Sequence, residues 1–339
     1  MLMRNFRWLV VPPLSRGMTV ACVAAAVAFG QAAHAQSDYP NRPITLVLPL
    51  GAGGAMDILA RGQFAPKLSE RLGKPIVVEN RTGGGTVIAA TSVAKSPPDG
   101  YTLFFVPAGT LTTNATLYKN LPYDPGKDFV PIALTSKLGF VLSVHPSTPV
   151  KSIPELVAYV KERPGQLSYG STGIGATPHL AVEMFQRAAG LQMTHVPYRG
   201  MPQATNDVVA GHTQMVFTDP PLAQSLSADN KLRPVAVSTL ERIPAVPAVP
   251  SLHELGFKDF EAVSWHMIVA PAGTPKPVVD RLHAEFKAIV ASPEFQQQAL
   301  KMGLNAIDSP PPEALKRYLD AEILRWGELV KQVGIAETQ

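Results

Sequence analysis

Apolar residues recur along this chain in two alternating rhythms. Short unbroken runs, suited to buried strands, occur at residues 44–50, 75–80, 102–106, 130–134, 140–144, 167–171, 193–198, 214–218 and 234–238. Segments with one apolar face at helical spacing separate many of them, at 57–72, 86–95, 153–162, 178–189 and 202–210. This alternation predicts an α/β fold with mostly parallel sheets covered on both faces. After a further strand near 262–269 the chain turns helical, at 277–291, 293–302 and 312–333. The last helix carries Leu315, Tyr318, Leu319, Ile323, Trp326, Leu329 and Val330 on one face. Ser152-Ile153-Pro154-Glu155 has the Ser-x-x-Glu form of a capping box and fixes one helix start. Pro66, inside the first helical segment, should kink or shorten it. Trp265 and Trp326 read as core residues.

The first 35 residues belong to a different pattern. Arg4, Arg7 and Arg16 give a basic start, residues 18–30 form a short apolar core, and Ala33-His34-Ala35 has the small-x-small form of a cleavage site. This is the layout of a secretory signal peptide, with the mature chain expected from about Gln36. The apolar run is too short to span a bilayer, so an anchor is not expected. The leader contains three Arg and no acidic residue, so the formal net charge falls from +4 to +1 without it. A nucleic-acid role thereby loses its electrostatic support. Cys22, the single cysteine, also leaves, and the exported product must be held by its core alone. The remaining length suggests two domains.

Candidate chemistry gathers where strands hand over to helices. Glycine clusters stand at Gly51-Ala52-Gly53-Gly54, Gly83-Gly84-Gly85-Thr86, Ala108-Gly109-Thr110 and Gly173-Ile174-Gly175-Ala176-Thr177. Open α/β sheets bind ligands at the carboxyl ends of their strands, and helix starts offer unpaired N–H groups to anions. Four such loops point to a shared anion-binding cleft. A dinucleotide fingerprint fails, because Met56 stands where Gly51-x-Gly53 would need its third glycine. The fragment 169–173 misses a nucleophile elbow because Tyr169 replaces the first glycine. His145, His179, His195, His212, His253, His266 and His283 show no metal-ligand spacing, and only His179, two residues after Thr177, is placed near a site. Neither a metal, a cofactor nor enzymatic activity is expected.

Together, residues 39–61, 77–85 (VVENRTGGG), 97–105, 121–132, 171–185 (STGIGATPHLAVEMF), 195–200 and 270–275 closely resemble the extracytoplasmic solute receptors of the tripartite tricarboxylate transporters, the Bug receptors. Each stretch alone is unspecific, but their order and spacing are specific to that family. The resemblance implies a type II periplasmic binding protein fold, with two α/β domains and a ligand cleft between them. It places domain 1 at 38–136 plus 255–339 and domain 2 at 137–254, after a signal peptide at 1–35. It also implies a small carboxylate held by Gly53, Gly54, Ala55, Met56, Asp57, Gly84, Gly109 and Thr110 from one domain. Ser171, Gly173, Gly175, Thr177, His179, Thr218 and Asp219 would contribute from the other.

Departures from the family pattern bear on the ligand. Met56 stands where Ser or Thr is common, the second loop reads Thr82-Gly83-Gly84-Gly85-Thr86, and Thr218 replaces a frequent acid, with Asp219 beside it. These changes argue against an amino acid and for a less polar carboxylate, such as an aromatic one; the expected ligand class as a whole is a small mono- or dicarboxylate. The expected function is a periplasmic monomer that delivers this ligand to membrane permease subunits. Two alternatives stay open: a sensor that signals without transport, and a secreted hydrolase using Ser171 if a base lies within its reach.

Overall fold

The structure, a computed structural model, describes residues 39–198 and 200–339; the leader at 1–35 lies outside them. Everything discussed below belongs to one compact unit, Arg42–Gln339. In chain order the strands are β1 (Ile44–Leu48), β2 (Ile76–Asn80), β3 (Thr102–Pro107), β4 (Phe129–Leu138), β5 (Val141–Val144) and β6 (Ser168–Ser171). They continue as β7 (Thr194–Pro197), β8 (Met215–Thr218), β9 (Arg233–Val237), β10 (Ser264–Pro271) and β11 (Asn305–Ala306). The first helices are α1 (Ala55–Leu59), α2 (Ala65–Leu72), α3 (Val87–Ala94), α4 (Ala108–Leu111), α5 (Asn114–Leu117) and α6 (Ile153–Lys161). The remainder are α7 (Thr177–Ala189), α8 (Met201–Val209), α9 (Pro220–Ala228), α10 (Lys276–Val290), α11 (Pro293–Lys301) and α12 (Pro312–Val333).

The strands form two sheets, ordered β11-β4-β10-β3-β1-β2 and β7-β6-β8-β5-β9. The chain passes from the first to the second between Leu138 and Val141, and returns between β9 and β10. The expectation of mostly parallel sheets needs correction. Only β1–β2, β1–β3, β6–β7 and β6–β8 are parallel, whereas β10 and β11 in one sheet and β5 in the other run antiparallel to their neighbours. Apolar runs report burial on both faces, not strand direction.

Both faces of the first sheet are covered. Successive residues of β3 point oppositely, so Phe104 joins the core under α3 and α12 with Ala89, Ala90, Val93, Leu315 and Leu319. Phe105 meets Phe64 at 5.3 Å on the other side, and Phe64 in turn meets Phe286 of α10 and Phe295 of α11 at 5.2 and 5.3 Å. The second core gathers Leu142, Tyr169, Leu180, Phe185, Val216 and Phe217. It also takes in Trp326 and Val330 of α12. The apolar face of the last helix therefore serves two cores, its first half one sheet and its second half the other.

Two proline effects differ in outcome. The helix after β1 does not end before Pro66: a π-helical turn at Ala60–Phe64 precedes it, and Pro66 falls in the first turn of α2. The wider turn absorbs the missing N–H and the ring's crowding of the preceding turn. The helix α9 is absent from the segments read from the sequence, and it opens on Pro220-Pro221. The structure puts both prolines in the first turn, where no N–H is needed. The capping box is present: the Glu155 N–H donates to Ser152 Oγ (3.4 Å), while the Glu155 carboxylate accepts from the N–H of Lys151 (2.8 Å).

Candidate functional site

A cavity of about 460 Å³ opens between the carboxyl ends of the two sheets. Five of the expected residues line it: Gly109 and Thr110 in α4, Gly175 and Thr177 at the start of α7, and Asp219 at the start of α9. Thr110 Oγ1 shares a hydrogen bond of 2.7 Å with Thr86 Oγ1, and both residues face the cavity. Thr86 has φ +79°, a left-handed conformation that a β-branched residue rarely adopts. Asn114 reinforces this corner, its amide donating to the Gly85 carbonyl (3.2 Å) and to Tyr123 Oη (3.2 Å). The lobes approach each other where Leu117 of α5 meets the loop before α7: a Cβ added at Gly175 would lie 2.7 Å from Leu117 Cδ2.

The other expected residues stand behind the lining. Gly53, Gly54 and Ala55 form an exposed turn, while Met56 is 3% exposed and packs beneath it, so none of the four lines the cavity; Leu50, where β1 ends, does. Asp57 is buried, and its carboxylate accepts from the Gly53 N–H (3.0 Å), Arg61 Nε (2.9 Å) and Asn80 Nδ2 (3.1 Å). The Gly53 N–H, then the Asn80 and Arg61 bonds, hold its pKa below the usual carboxylate range despite burial. The anion at this helix start is thus supplied by the chain itself. Gly84 turns its carbonyl to the Tyr118 hydroxyl (3.2 Å), and its neighbours Gly85 and Thr86 line the cavity instead. Thr218 is fully buried and bonded to Thr205 Oγ1 at 2.9 Å.

Ser171, Gly173 and His179 build the support of the α7 loop. His179 Nδ1 accepts the Gly175 N–H at 3.1 Å. Its ring stacks 4.0 Å from that of His195, whose Nε2 lies 2.6 Å from Ser171 Oγ. Burial pushes the pKa of His179 down to about 3, with His195 adding to the effect, and burial pushes that of His195 down to about 4. A base therefore does lie within reach of Ser171. Yet Ser171 is fully buried, its hydroxyl donating to the Gly173 carbonyl (3.2 Å) and accepting the Gly173 N–H (3.1 Å). An oxygen so enclosed is a loop brace and not a nucleophile presented to a substrate.

Ser264 and His266 also line the cavity, and neither was expected there. They alternate with Trp265 and Met267 along β10, and β10 runs antiparallel to β3, so its first residues sit beside the carboxyl end of that strand. Period-two alternation placed them on one face, but only the strand's direction puts that face at the cleft. His266 Nδ1 lies 3.0 Å from Ser136 Oγ, and burial pushes its pKa down to about 4. The imidazole is neutral near pH 7. No Lys or Arg is among the described residues lining the cavity, and no group of His, Cys, Asp and Glu able to hold a metal occurs among the described residues.

Residues 59–335 match the family model described as tripartite tricarboxylate transporter family receptor. A curated relative, the UPF0065 protein in the tcbD-tcbE intergenic region of Pseudomonas sp. (strain P51), is 35% identical over 302 residues and 89% of each chain. Among solved structures, Rpa4515 of R. palustris with adipate is 35% identical, with a TM-score of 0.77 over 88% of this chain and 99% of that one. MatC (Rpa3494) of Rhodopseudomonas palustris with bound malate is 30% identical, with a TM-score of 0.73 over 86% of this chain and 100% of the other. The two-sheet α/β architecture is the one these periplasmic binding proteins share. The chain belongs to the tripartite tricarboxylate transporter receptor family.

Proposed function

We propose that this chain is a periplasmic solute receptor that captures a small carboxylate in the cleft and delivers it to the membrane permease subunits of a tripartite tricarboxylate transporter. The observation that carries the reading is the lining of the cavity: hydroxyls and the start of α7 from opposite lobes, in a family whose solved members include one with adipate and one with malate. A carboxylate is held well by such neutral donors when they are fixed in advance. On this reading Gly109, Thr110, Gly175 and Thr177 touch the ligand, and Gly53–Asp57, Ser171, Gly173, His179 and Thr218 hold the lining loops in place.

The same reading assigns two discontinuous domains, 38–136 with 255–339 and 137–254. It is supported by β4 ending at Leu138 in one sheet and β5 starting at Val141 in the other. Hinged lobes of this kind close around a ligand, and closure is what a permease can recognise.

The test is a thermal-shift screen of the mature chain, from residue 36, against carboxylates and their amides. A ligand at about 100 times its Kd adds about 2.7 kcal/mol to the folded state. At least one carboxylate should raise Tm while its amide does not. Stabilisation by uncharged sugars or by cations instead would overturn the assignment.

A further inference from the structure

Asp219 is the only carboxylate among the described residues lining the cleft. Its placement follows from the sequence Asp219-Pro220-Pro221. Asp at the N-cap of a helix ordinarily accepts the N–H of the second or third helical residue; at α9 the second is Pro221, which has none, and the bond to the third, Leu222, is not made. The side chain makes no capping hydrogen bond, and no described residue pairs with it. It is left partly buried against the cavity, facing a space whose described lining residues include no Lys or Arg.

An unpaired carboxylate is a poor fit for a receptor of anions unless something neutralises it. Asp219 lines the same cavity of about 460 Å³ as Gly175 and Thr177, so one small dicarboxylate held at the α7 start shares that space with the Asp219 carboxylate. Two carboxylates confined to one apolar site share a proton rather than both remaining ionised. Resting on the receptor reading above, we infer that Asp219 takes up a proton from solvent when a dicarboxylate binds, and donates it as a hydrogen bond to the ligand's second carboxylate. Ligand capture is then coupled to proton uptake, and Asp219 selects dicarboxylates over larger or more highly charged anions.

The group is poised for this. Burial already pushes the Asp219 carboxyl up to about 6. The other titratable groups that line the cavity stay silent between pH 6 and 8: His266 lies far below, and burial raises Tyr118 above its ordinary 10.0. The braces behind the loop, His179 and His195, also titrate well below that window. The sign follows from linkage. A group whose pKa rises on binding favours the complex fully below its free pKa, and that contribution is lost as pH climbs toward the bound pKa.

Calorimetry on the mature protein tests this with straight-chain dicarboxylates of four to eight carbons and monocarboxylates of equal length. Dicarboxylate affinity should fall on the order of tenfold or more from pH 6 to pH 8. Titrations at pH 7 in buffers of different ionisation enthalpy should show uptake approaching one proton per dicarboxylate, and clearly less for monocarboxylates. Asp219→Asn keeps a permanent donor at this position, so it should bind dicarboxylates with a flat pH profile. Affinity that rises with pH, or no proton uptake by the wild type, overturns the inference whatever the variant does. Loss of binding in Asp219→Asn at every pH also overturns it, assigning the carboxylate to a cationic group on the ligand. If monocarboxylates bind and dicarboxylates do not, the inference falls and the receptor reading stands. If neither class binds, the inference falls, and the receptor reading is decided by the wider carboxylate screen described above.

Discussion

The carboxylate of Glu322, 7% exposed, accepts from two indoles: Trp265 Nε1 in β10 and Trp326 Nε1 one helical turn away in α12, each at 3.0 Å. Trp265 belongs to the first core and Trp326 to the second, so this one oxygen, Glu322 Oε2, ties the two halves of the molecule together through α12. Glu322→Ala would strand two buried N–H donors. Each costs about 1–3 kcal/mol, and the lost volume adds to this. Removing a buried charge, whose desolvation is itself costly, recovers part of it. The expected net loss is about 3 kcal/mol, or roughly 5 °C in Tm at this size. Glu322→Gln keeps an acceptor oxygen and should cost about 1 kcal/mol. Of the three tryptophans only Trp8 lies in the leader, so the fluorescence of the mature chain comes from the two rings bonded to Glu322. Urea unfolding followed by that fluorescence measures the loss, and a shifted native emission reports the freed indoles. An alanine variant within about 0.5 kcal/mol of wild type, or a glutamine variant as damaged as the alanine one, would refute the bridge.

Two further outcomes follow from the same geometry. Thr86→Gly relieves a left-handed φ that costs a non-glycine residue about 1–2 kcal/mol but removes the hydroxyl beside Thr110; Tm should hold or rise while carboxylate affinity drops about tenfold, and calorimetry showing unchanged affinity would exclude Thr86 from the site. Acid sensitivity should come from His179, His195 and His266, which burial keeps neutral, with pKa values pushed down to about 3, 4 and 4. Their stabilisation is complete above pH 6.5 and shrinks as pH falls toward 4, because only the unfolded chain can charge them. Asp219, raised to about 6, works in the opposite sense over part of this range. Near pH 5 the unfolded state thus holds about two more protons, a slope on the order of 2–3 kcal/mol per pH unit. Denaturant titrations at pH 5 and 6 that gave equal stability would contradict the burial of these rings.

How far the sequence carries this picture varies with the kind of information. The element pattern was legible because burial is periodic: Thr45 is the one partly exposed residue in the otherwise buried Ile44–Leu48, and the predicted face of α12 is the buried one. Strand direction was not, since β10 reads the same forwards and backwards as an apolar run. The short helices α4 and α5 carry too few turns to show a period. The glycine clusters did point to the carboxyl ends of the strands. Glycine, however, signals a backbone that can turn, and the sequence does not say whether the freed N–H faces a ligand or folds back onto a side chain. Gly109 and Gly175 line the cavity and Gly53 does not, although the N–H groups of Gly53 and Gly175 alike fold back, onto Asp57 and His179. Tyr118 and Ser264 carry no motif at all, and are brought to the site only by pairing and packing distant in sequence.

The two glycine loops leave their helix starts in different electrostatic states. In the first lobe Gly53, at φ +84°, donates its N–H to the side chain four residues on, Asp57, at 3.0 Å; in the second, Gly175, at φ +76°, donates to the side chain four residues on, His179, at 3.1 Å. The bond is the same, and each fastens a flexible turn to the first turn of the following helix. The acceptors differ in charge. Asp57 is an anion held in its ionised form, so from the first turn of α1 it already compensates the positive end of that helix. His179 is a neutral imidazole that can accept only while its Nδ1 stays unprotonated, a state burial enforces. The start of α7 is therefore braced without being neutralised. Its partial positive charge remains available to a ligand, next to Thr177 and opposite the Thr86–Thr110 pair. On the receptor reading, a carboxylate in the cleft is held at the α7 end, because the α1 start is filled by Asp57 and stands off the cavity lining.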